Sequence, residues 1–249
     1  MSEAAVAPAR RETDQAAAMA ELRRTMVDRQ LRPFDVTDAP LLDQFLATPR
    51  ELFLPEHQAD LAYSDLAVTL RTSAGGKRSL LPPLVLARML QGAAPRPGQK
   101  ALVIGGAGYS AALLAGLLDE VIVVESDADL ARRAVAGFCA LGLANVKVEG
   151  GPLAKGAPHH APFDVILVEG AADAGLEPLF DQLKPDGRLL AIITPETGAG
   201  RQLVRFERQD GKATGDLPLL SAGATAASDI LSPAFCTGSL SATAPTAAL

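Results

Sequence analysis

The second half of the chain alternates short apolar runs with segments that favour helix, and this alternation restricts the possible folds more than any other feature. The apolar runs are 101–104, 121–124, 146–148 and 163–168, the helical segments are 84–91, 110–118 and 127–141, and further strands are predicted at 187–193 and 203–207. Apolar runs without polar alternation are typical of parallel strands that are buried on both faces. Because the intervening helices supply the crossovers that parallel strands need, the pattern predicts a doubly wound α/β sheet.

The rest of the chain divides by composition into segments around this core, which is predicted at 84–239. Residues 1–15 are small and polar and predict a flexible tail, since they cannot bury enough apolar surface to become ordered. Residues 16–83 predict an N-terminal helical extension that ends in a polar, glycine-containing loop at 71–83. The Ala-, Ser- and Thr-rich stretch 240–249 predicts a frayed tail.

The charge balance and the cysteine content exclude several functional classes. With 23 Lys and Arg residues against 29 Asp and Glu residues, the net charge is −6, so no basic field is available to hold nucleic acid. Cys139 and Cys236 have no metal-ligand or disulfide-framework spacing, and the pair His159 and His160 lacks further ligands, so no metal site is predicted. No apolar run approaches the roughly 20 residues of a membrane span. We expect a cytoplasmic monomer that binds neither membrane nor nucleic acid.

A glycine-rich turn follows the first strand of the predicted core. Gly105, Gly106 and Gly108 place backbone N–H groups and the positive end of the next helix at the edge of the sheet. About 20 residues later, Glu125 closes the next strand, where a carboxylate can accept hydrogen bonds from the two ribose hydroxyls of a nucleoside. The unit predicts a nucleoside-cofactor site. The alternative is that the glycines only permit close packing and that Glu125 caps the following helix.

Two cofactor classes fit this turn when it is considered alone. The stretch 106–111 satisfies the pattern G-x-G-x-x-A of dinucleotide-binding proteins, which favours NAD or FAD. The turn is also compatible with S-adenosylmethionine, which carries no phosphate. Residues outside the turn must decide between the two.

These residues resemble the protein-L-isoaspartate O-methyltransferase family over nearly the whole chain from residue 20 onward. The matching motifs are RTMVDRQL at 24–31, TPRELFLPE at 48–56, LAYSD at 61–65, ARM at 87–89, IG at 104–105, GY at 108–109, VVE at 123–125, APFD at 161–164 and LKPDGRL at 183–189. The resemblance implies a seven-stranded, Rossmann-like class I methyltransferase sheet with S-adenosylmethionine as cofactor. It also implies methyl transfer to the carboxylate of isoaspartyl residues in damaged proteins or peptides.

The chain departs from the family pattern on the cofactor side of the expected site. Val103 stands where the family has an acidic residue that helps to bind the methionine end of the cofactor. Gly150 stands where an Asp receives the adenine amino group, and the adjacent Glu149 is the candidate substitute. Glu169 follows the run 163–168, where the family commonly has an uncharged residue. We expect Glu169 to compensate for a lost acid or to change substrate preference, with a solvated loop carboxylate as the alternative.

The acceptor side departs from the family as well. The segment 79–83 aligns with the family's Thr-Ile-Ser-Gln-Pro, and Leu81 replaces the active-site serine. Ser79 and Asp65 are the candidate residues on this side, Asp65 because the family carries an Asp after the same Tyr-containing motif. An Asp-like acceptor, with a pKa of about 3.9, is already ionised, so methyl transfer needs no general base and can rest on proximity. Two other functions remain open: a noncatalytic family member that binds or regulates, and a dinucleotide-binding oxidoreductase.

Overall fold

The computed structural model describes residues 3–172, 175–194, 200–209, 212–222 and 229–231, with the side chains of 13–172, 175–194 and 200–208. The predicted tail 240–249 and Cys236 lie outside the described residues. None of the helices in the described part of the chain combines the length and the apolar character that crossing a lipid bilayer requires.

Two α-helices form most of the N-terminal extension. α1 covers Glu3–Met26 and continues as a π-helical turn at Val27–Leu31, and α2 covers Ala39–Ala47. α2 begins where the Asp38 side chain accepts a hydrogen bond from the Leu41 N–H at 3.0 Å, which satisfies a free donor of the first turn. α1 begins inside the stretch for which the sequence predicts a flexible tail. Residues 13–18 are exposed, so the first buried side chain that is described belongs to Met19.

A small antiparallel hairpin stands where the sequence predicts only a loop. β1 covers Val68–Arg71 and β2 covers Lys77–Leu80, with Thr69 opposite Ser79. The connecting turn closes through a hydrogen bond from the Thr72 N–H to the Gly76 carbonyl at 3.0 Å. Strands this short and polar lack the apolar alternation that identifies a strand in sequence, so the cross-strand pairing is visible only in the fold.

The central sheet confirms the predicted doubly wound architecture. Its helices and strands are α3 (Pro83–Ala93), β3 (Lys100–Ile104), α4 (Tyr109–Ala115), β4 (Glu120–Glu125), α5 (Ala128–Ala140), β5 (Val146–Gly150), β6 (Phe163–Ala172), α6 (Glu177–Phe180), β7 (Leu183–Ile193), β8 (Arg201–Gln209), β9 (Lys212–Ala222) and β10 (Asp229–Leu231). Short 3-10 helices cover Arg32–Phe34, Arg50–Phe53, Glu56–Leu61, Gly106–Gly108, Leu153–Lys155 and Pro158–His160.

Seven strands follow one another in the order β5-β4-β3-β6-β7-β8-β9, and β10 pairs with β6 as an eighth. β3 to β7 are parallel, whereas β8 and β9 are antiparallel to their neighbours. The order reverses direction between β3 and β6, and ligands of open α/β sheets bind at such a reversal. β9 was not predicted as a strand because it contains Gly215 and Pro218; its position at the sheet edge tolerates a proline.

Each face of the sheet packs against its own apolar core. The larger core joins the N-terminal extension, α3, α4 and α5 to one face, through strand residues such as Val103, Val123 and Leu167. The smaller core covers the other face through alternate residues such as Leu102 and Ile166. β2 also packs beside the 3-10 helix Gly106–Gly108, and the 3-10 helix Arg50–Phe53 packs against α5, so part of the N-terminal extension reaches the carboxyl end of β3.

Gly137 of α5 allows the N-terminal extension to pack closely against the sheet. A Cβ atom at this position would lie 2.7 Å from Cε1 of Phe53, whose ring packs 5.8 Å from the rings of both Tyr109 and Phe138. We expect Gly137→Ala to destabilise the protein by about 1–3 kcal/mol through overpacking, although alanine is the better helix former. Urea unfolding measures the change, and the same substitution should cost much less when it is made in a Phe53→Leu background, because the smaller side chain leaves room for the new methyl group. An unchanged or raised unfolding midpoint in Gly137→Ala would contradict the close contact.

Candidate functional site

The glycine turn (residues 105–108) lies at the reversal of strand order and has a backbone that ordinary residues avoid. The φ angles of Gly105, Gly106, Ala107 and Gly108 are 74°, 83°, 56° and 97°. Glycine adopts such angles without the steric cost that a Cβ atom brings. The turn is anchored to the next strand by a hydrogen bond from the Gly105 N–H to the Val124 carbonyl at 2.9 Å. Three predicted site residues are thus brought together in one concave stretch of backbone.

Glu125 closes β4 beside this turn and has one unused carboxylate oxygen. Its side chain is only 2% exposed, and Oε1 accepts a hydrogen bond from the Asp127 N–H at 2.9 Å. Oε2 is buried without a hydrogen-bond partner. The Nε atom of Arg78 lies 3.9 Å from Oε1. A buried acceptor oxygen that lacks a donor is costly, so this oxygen is poised to accept a hydrogen bond from a ligand.

The β1–β2 hairpin is fastened to the end of β4 and so covers this part of the site. Asp127 accepts a hydrogen bond from the Ser73 N–H at 2.7 Å and another from the Ser73 hydroxyl. Arg78 donates to the Ser126 hydroxyl at 2.9 Å. Burial raises the pKa of Asp127, but the hydrogen bonds from Ser73, Leu130 and Asp129 outweigh burial and leave the pKa below its ordinary value. Sequence reasoning missed this contact because Ser73 and Asp127 are 54 residues apart.

Glu169 brings a second buried carboxylate to the glycine turn. It follows Val168 of β6, where the pairing with β7 shifts register before Ala171. The side chain is 1% exposed, so the alternative of a solvated loop carboxylate is wrong. Its carboxylate accepts a hydrogen bond from the Ser110 hydroxyl, while Oε2 is buried without a partner. A Cβ atom on Gly106 would lie 2.2 Å from its carboxyl carbon, so the carboxylate sits directly against the turn.

Glu169 and Val103 face the same side of the sheet. Val103 of β3 pairs with Leu167, and both side chains belong to the larger core. Glu169 lies two residues beyond Leu167, so the alternation of a strand sends its side chain to that same face. A carboxylate therefore reaches the turn from the strand next to Val103 and on the same face of the sheet.

Burial raises the pKa of Glu169 well above its ordinary value; the positive charge of Arg50 opposes this and the negative charge of Glu125 adds to it. A carboxyl whose pKa is higher in the folded than in the unfolded chain makes the protein less stable as the pH rises from the unfolded value through the folded one. We expect Glu169→Gln to remove this loss. Urea unfolding over this pH range should show a gain in stability of the variant over wild type that grows with pH. If the difference in stability between the two proteins did not change with pH, the pKa of Glu169 would be that of an ordinary carboxyl group.

Arg50 is the buried cation of the site, and sequence reasoning did not single it out. Its side chain is fully buried, and Nη2 donates to the Leu81 carbonyl at 2.6 Å while Nε and Nη1 have no partner. The guanidinium lies 4.9 Å from the ring centroid of Tyr109, the residue that follows the turn. Burial lowers the pKa of Arg50, and the nearby Tyr109 and Glu169 raise it. No sequence signal marks a lone Arg in a 3-10 segment as buried, because its burial depends on contacts with distant residues.

A hydrogen-bonded group of motif residues holds the Arg50 segment in place. The Tyr63 hydroxyl accepts hydrogen bonds from Arg23 Nε at 2.8 Å and from the Arg50 N–H at 3.3 Å, and it donates to the Glu51 carboxylate. Burial raises the pKa of Tyr63 to about 12, so it stays a donor at neutral pH. The motifs 48–56 and 61–65 thus have a shared structural reason: together they position Arg50.

The remaining predicted residues lie farther from these contacts. Glu149 of β5 contacts His160, with 2.5 Å between Oε1 and Nε2. Ser79 is buried on β2, the strand that packs beside the 106–108 turn, whereas Asp65 is exposed. Leu81 is buried, and its carbonyl is the acceptor of Arg50. Ser79, Asp65 and Glu149 stay predictions as site residues.

Comparison with known proteins places the chain among methyltransferases. The model of the protein-L-isoaspartate(D-aspartate) O-methyltransferase family matches residues 23–217. The protein-L-isoaspartate O-methyltransferase of Methylorubrum extorquens (strain PA1) is 38% identical over 214 residues, which cover 83% of this chain and 92% of that protein. The enzyme of that name from Gloeobacter violaceus is 38% identical over 180 residues, which cover 72% and 86%.

Two solved structures share the fold. A protein-L-isoaspartate O-methyltransferase superposes with a TM-score of 0.67 at 25% identity and covers 82% of this chain and 66% of its own. A Plasmodium falciparum protein described as a putative member, in complex with S-adenosyl-L-homocysteine, has a TM-score of 0.62 at 19% identity and covers 80% and 95%. At 19% identity, the similarity to the Plasmodium falciparum protein shows the fold alone. Both confirm the predicted methyltransferase sheet.

Proposed function

Because this chain belongs to the protein-L-isoaspartate(D-aspartate) O-methyltransferase family, we propose that it transfers a methyl group from S-adenosylmethionine to the side-chain carboxylate of isoaspartyl residues in damaged proteins or peptides. The observation that carries this proposal is the position of the buried Glu125 carboxylate, with its unused Oε2, beside the glycine turn at the reversal of strand order. The family match over residues 23–217 opposes the alternative of a dinucleotide-binding oxidoreductase, which the pattern at 106–111 raised.

The residues present fit the cofactor at its nucleoside end. Glu125 Oε2 would accept from the ribose hydroxyls, and the turn would lie against the chain that links ribose and amino acid. Gly150, opposite Glu125 on β5, has open space at its Cβ position, which leaves room for the adenine. Glu149 would approach the adenine from the same strand end, provided that His160 releases it. At the amino-acid end, Glu169 is the carboxylate against the turn.

The bound cofactor would supply an electrophilic methyl group on a sulfonium, whose transfer forms an oxygen–carbon bond and leaves a neutral thioether. The protein then has two tasks: it positions the cofactor and the acceptor, and it excludes water from the site. The β1–β2 hairpin covers the end of β4 through Ser73, Asp127 and Arg78. Because the acceptor carboxylate is already ionised, proximity can supply most of the rate, as it does in reactions with effective molarities worth about 7–11 kcal/mol.

The acceptor side is built mainly from apolar residues and backbone. Leu81 is buried where the family serine aligns, and its carbonyl is held by Arg50. Losing one positioning hydrogen bond typically costs about 1 kcal/mol, which slows a reaction without abolishing it. Ser79 of β2 carries the hydroxyl that is nearest to Leu81 in the sequence, and the exposed Asp65 is accessible to a protein substrate. We therefore propose both as acceptor-side residues.

The proposed activity is tested with two peptides that differ only in one isoaspartyl linkage. Radiolabelled methyl transfer from S-adenosylmethionine should occur with the isoaspartyl peptide and not with its aspartyl counterpart. Calorimetric titration with S-adenosylhomocysteine on the same preparation should show binding. Binding without transfer to either peptide would assign the site to a different acceptor, and no binding of any adenosyl compound would refute the cofactor.

A second candidate function is a family member that binds the cofactor without methyl transfer to isoaspartate. Leu81 at the position of the serine is the observation that favours it. Leu81→Ser discriminates between the two: a gain in rate on the isoaspartyl peptide supports the enzyme, whereas activity absent from both proteins supports the binding function.

We also propose that the protein is a cytoplasmic monomer. Its composition supports this proposal, since the two cysteines lack disulfide spacing and the net charge of −6 favours solubility. Light scattering coupled to size exclusion measures the mass of the particle, and twice the chain's 25.8 kDa would contradict a monomer.

A further inference from the structure

Two side chains of opposite charge are buried near the glycine turn without contacting each other. Glu169 and Arg50 are 1% and 0% exposed, and they form no ion pair within the described residues. Each has unused hydrogen-bonding capacity: Oε2 on Glu169, and Nε and Nη1 on Arg50. Burying charges without direct pairing is costly, and a structural ion pair would have closed this gap. The arrangement fits a ligand group that carries both signs of charge.

We propose, resting on the cofactor site assigned above, that Glu169 and Arg50 form a clamp for the zwitterionic amino-acid end of the cofactor. Glu169 binds the α-ammonium through Oε2, and Arg50 binds the α-carboxylate through one of its free N–H groups. An α-amino acid presents an ammonium and a carboxylate on one carbon, so one small group can satisfy both side chains. Guanidinium N–H groups donate strong, charge-assisted hydrogen bonds to carboxylates, and Arg50 has two nitrogens, Nε and Nη1, without a partner.

The surroundings of both residues support this role. Glu169 is oriented by the Ser110 hydroxyl and lies against Gly106, at the turn along which the cofactor's amino-acid end would run. Arg50 is oriented by the Leu81 carbonyl and by the Tyr109 ring. Side chains that are held in place by packing and by a second hydrogen bond bind a ligand without losing further conformational freedom. Glu169 also supplies the acid that Val103 lacks, from the neighbouring strand and on the same face.

The wild-type protein tests the clamp with four ligands in calorimetric titrations. These are S-adenosylhomocysteine, its analogue without the amino group, its analogue without the carboxyl group, and 5′-methylthioadenosine, which lacks the whole amino-acid end. We expect S-adenosylhomocysteine to bind about 10- to 100-fold more tightly than each single-deletion analogue, as hydrogen bonds to charged groups typically contribute. Equal affinity for S-adenosylhomocysteine and methylthioadenosine would overturn the clamp and leave the nucleoside site standing. No binding of any of the four would refute the proposed function itself.

Two variants assign the charges to the residues. Glu169→Gln should lower affinity for S-adenosylhomocysteine about 10- to 100-fold, and it should leave the deaminated analogue and methylthioadenosine within about twofold. Arg50→Met should lower affinity for S-adenosylhomocysteine by the same factor and leave affinity for the decarboxylated analogue within about twofold. Glu56→Gln and Arg29→Lys, both at exposed positions, are the matched controls and should leave all four affinities unchanged. Uniform weakening of all ligands by a variant would mean a structural role and overturn its half of the clamp.

Proton release gives a readout that a merely structural carboxylate would not change. Glu169 faces Arg50 and Glu125, and burial raises the pKa of Glu169 well above its ordinary value. An ammonium beside the carboxylate favours the ionised form and lowers the pKa of Glu169, so binding of S-adenosylhomocysteine should release protons at pH values where Glu169 of the free protein is partly protonated. The observed binding enthalpy should then depend on the ionisation enthalpy of the buffer for wild type and not for Glu169→Gln. The same buffer dependence in both proteins would overturn the assignment of Glu169.

If Arg50→Met does not fold, the wild-type protein tests the role of Arg50 through the decarboxylated analogue: weaker binding than S-adenosylhomocysteine supports it, and equal binding overturns it.

Discussion

Replacing Gly106 with alanine is expected to destabilise the protein by about 2–5 kcal/mol and to abolish binding of S-adenosylhomocysteine. The backbone at this position has a φ of +83°, which costs a residue with a Cβ atom about 1–2 kcal/mol. The new methyl group would also lie 2.2 Å from the carboxyl carbon of Glu169, and overpacking of a buried site adds about 1–3 kcal/mol. Urea unfolding and calorimetry measure the two effects.

Gly98→Ala is the matched control because it separates backbone strain from the clash. Gly98 has nearly the same φ, +84°, and open space at its Cβ position, so this variant carries the strain alone and should retain cofactor binding. Adding Glu169→Ala to Gly106→Ala removes the clash and should recover the difference in stability between the two glycine variants. Equal stability of Gly106→Ala and Gly98→Ala would show that Glu169 does not occupy the turn.

Replacing Glu125 with alanine is expected to weaken binding of S-adenosylhomocysteine by about 100-fold or more. The carboxylate would accept two ribose hydrogen bonds, and each hydrogen bond to a charged group is worth about 1.5–3 kcal/mol. The loss should be the same for methylthioadenosine, because both ligands carry the ribose. This common loss distinguishes Glu125 from Glu169 and Arg50, which act on the amino-acid end alone.

Glu120 offers the control for this experiment, since it lies at the opposite end of β4. Hydrogen bonds from Lys147 and Lys100 lower the pKa of Glu120 to about 2, so it is ionised like a ligand-binding carboxylate but faces away from the turn. Glu120→Ala should leave both affinities unchanged. If Glu125→Ala bound as tightly as wild type, its role would be the capping of the following helix, the alternative that the sequence left open.

The core of the fold was predictable because its signals are local. The runs at 101–104, 121–124 and 163–168 are continuous and apolar, and this composition is typical of strands that are buried on both faces. The positive φ angles at Gly105, Gly106 and Gly108 follow from glycine, which is the residue that adopts them without strain. The β1–β2 hairpin and β9 escaped prediction because their pairing partners, and not their own residues, make them strands.

The sequence by itself determined the doubly wound sheet, the glycine turn and the acidic end of β4, since each depends on residues that are close together along the chain. Only the tertiary structure decided which charged side chains lie at the glycine turn. It brings Arg50, Leu81 and Glu169 together from three distant segments and buries both charges. Burial and charge pairing depend on distances between remote residues, which no local pattern encodes, and so the zwitterion clamp could be inferred only from the fold.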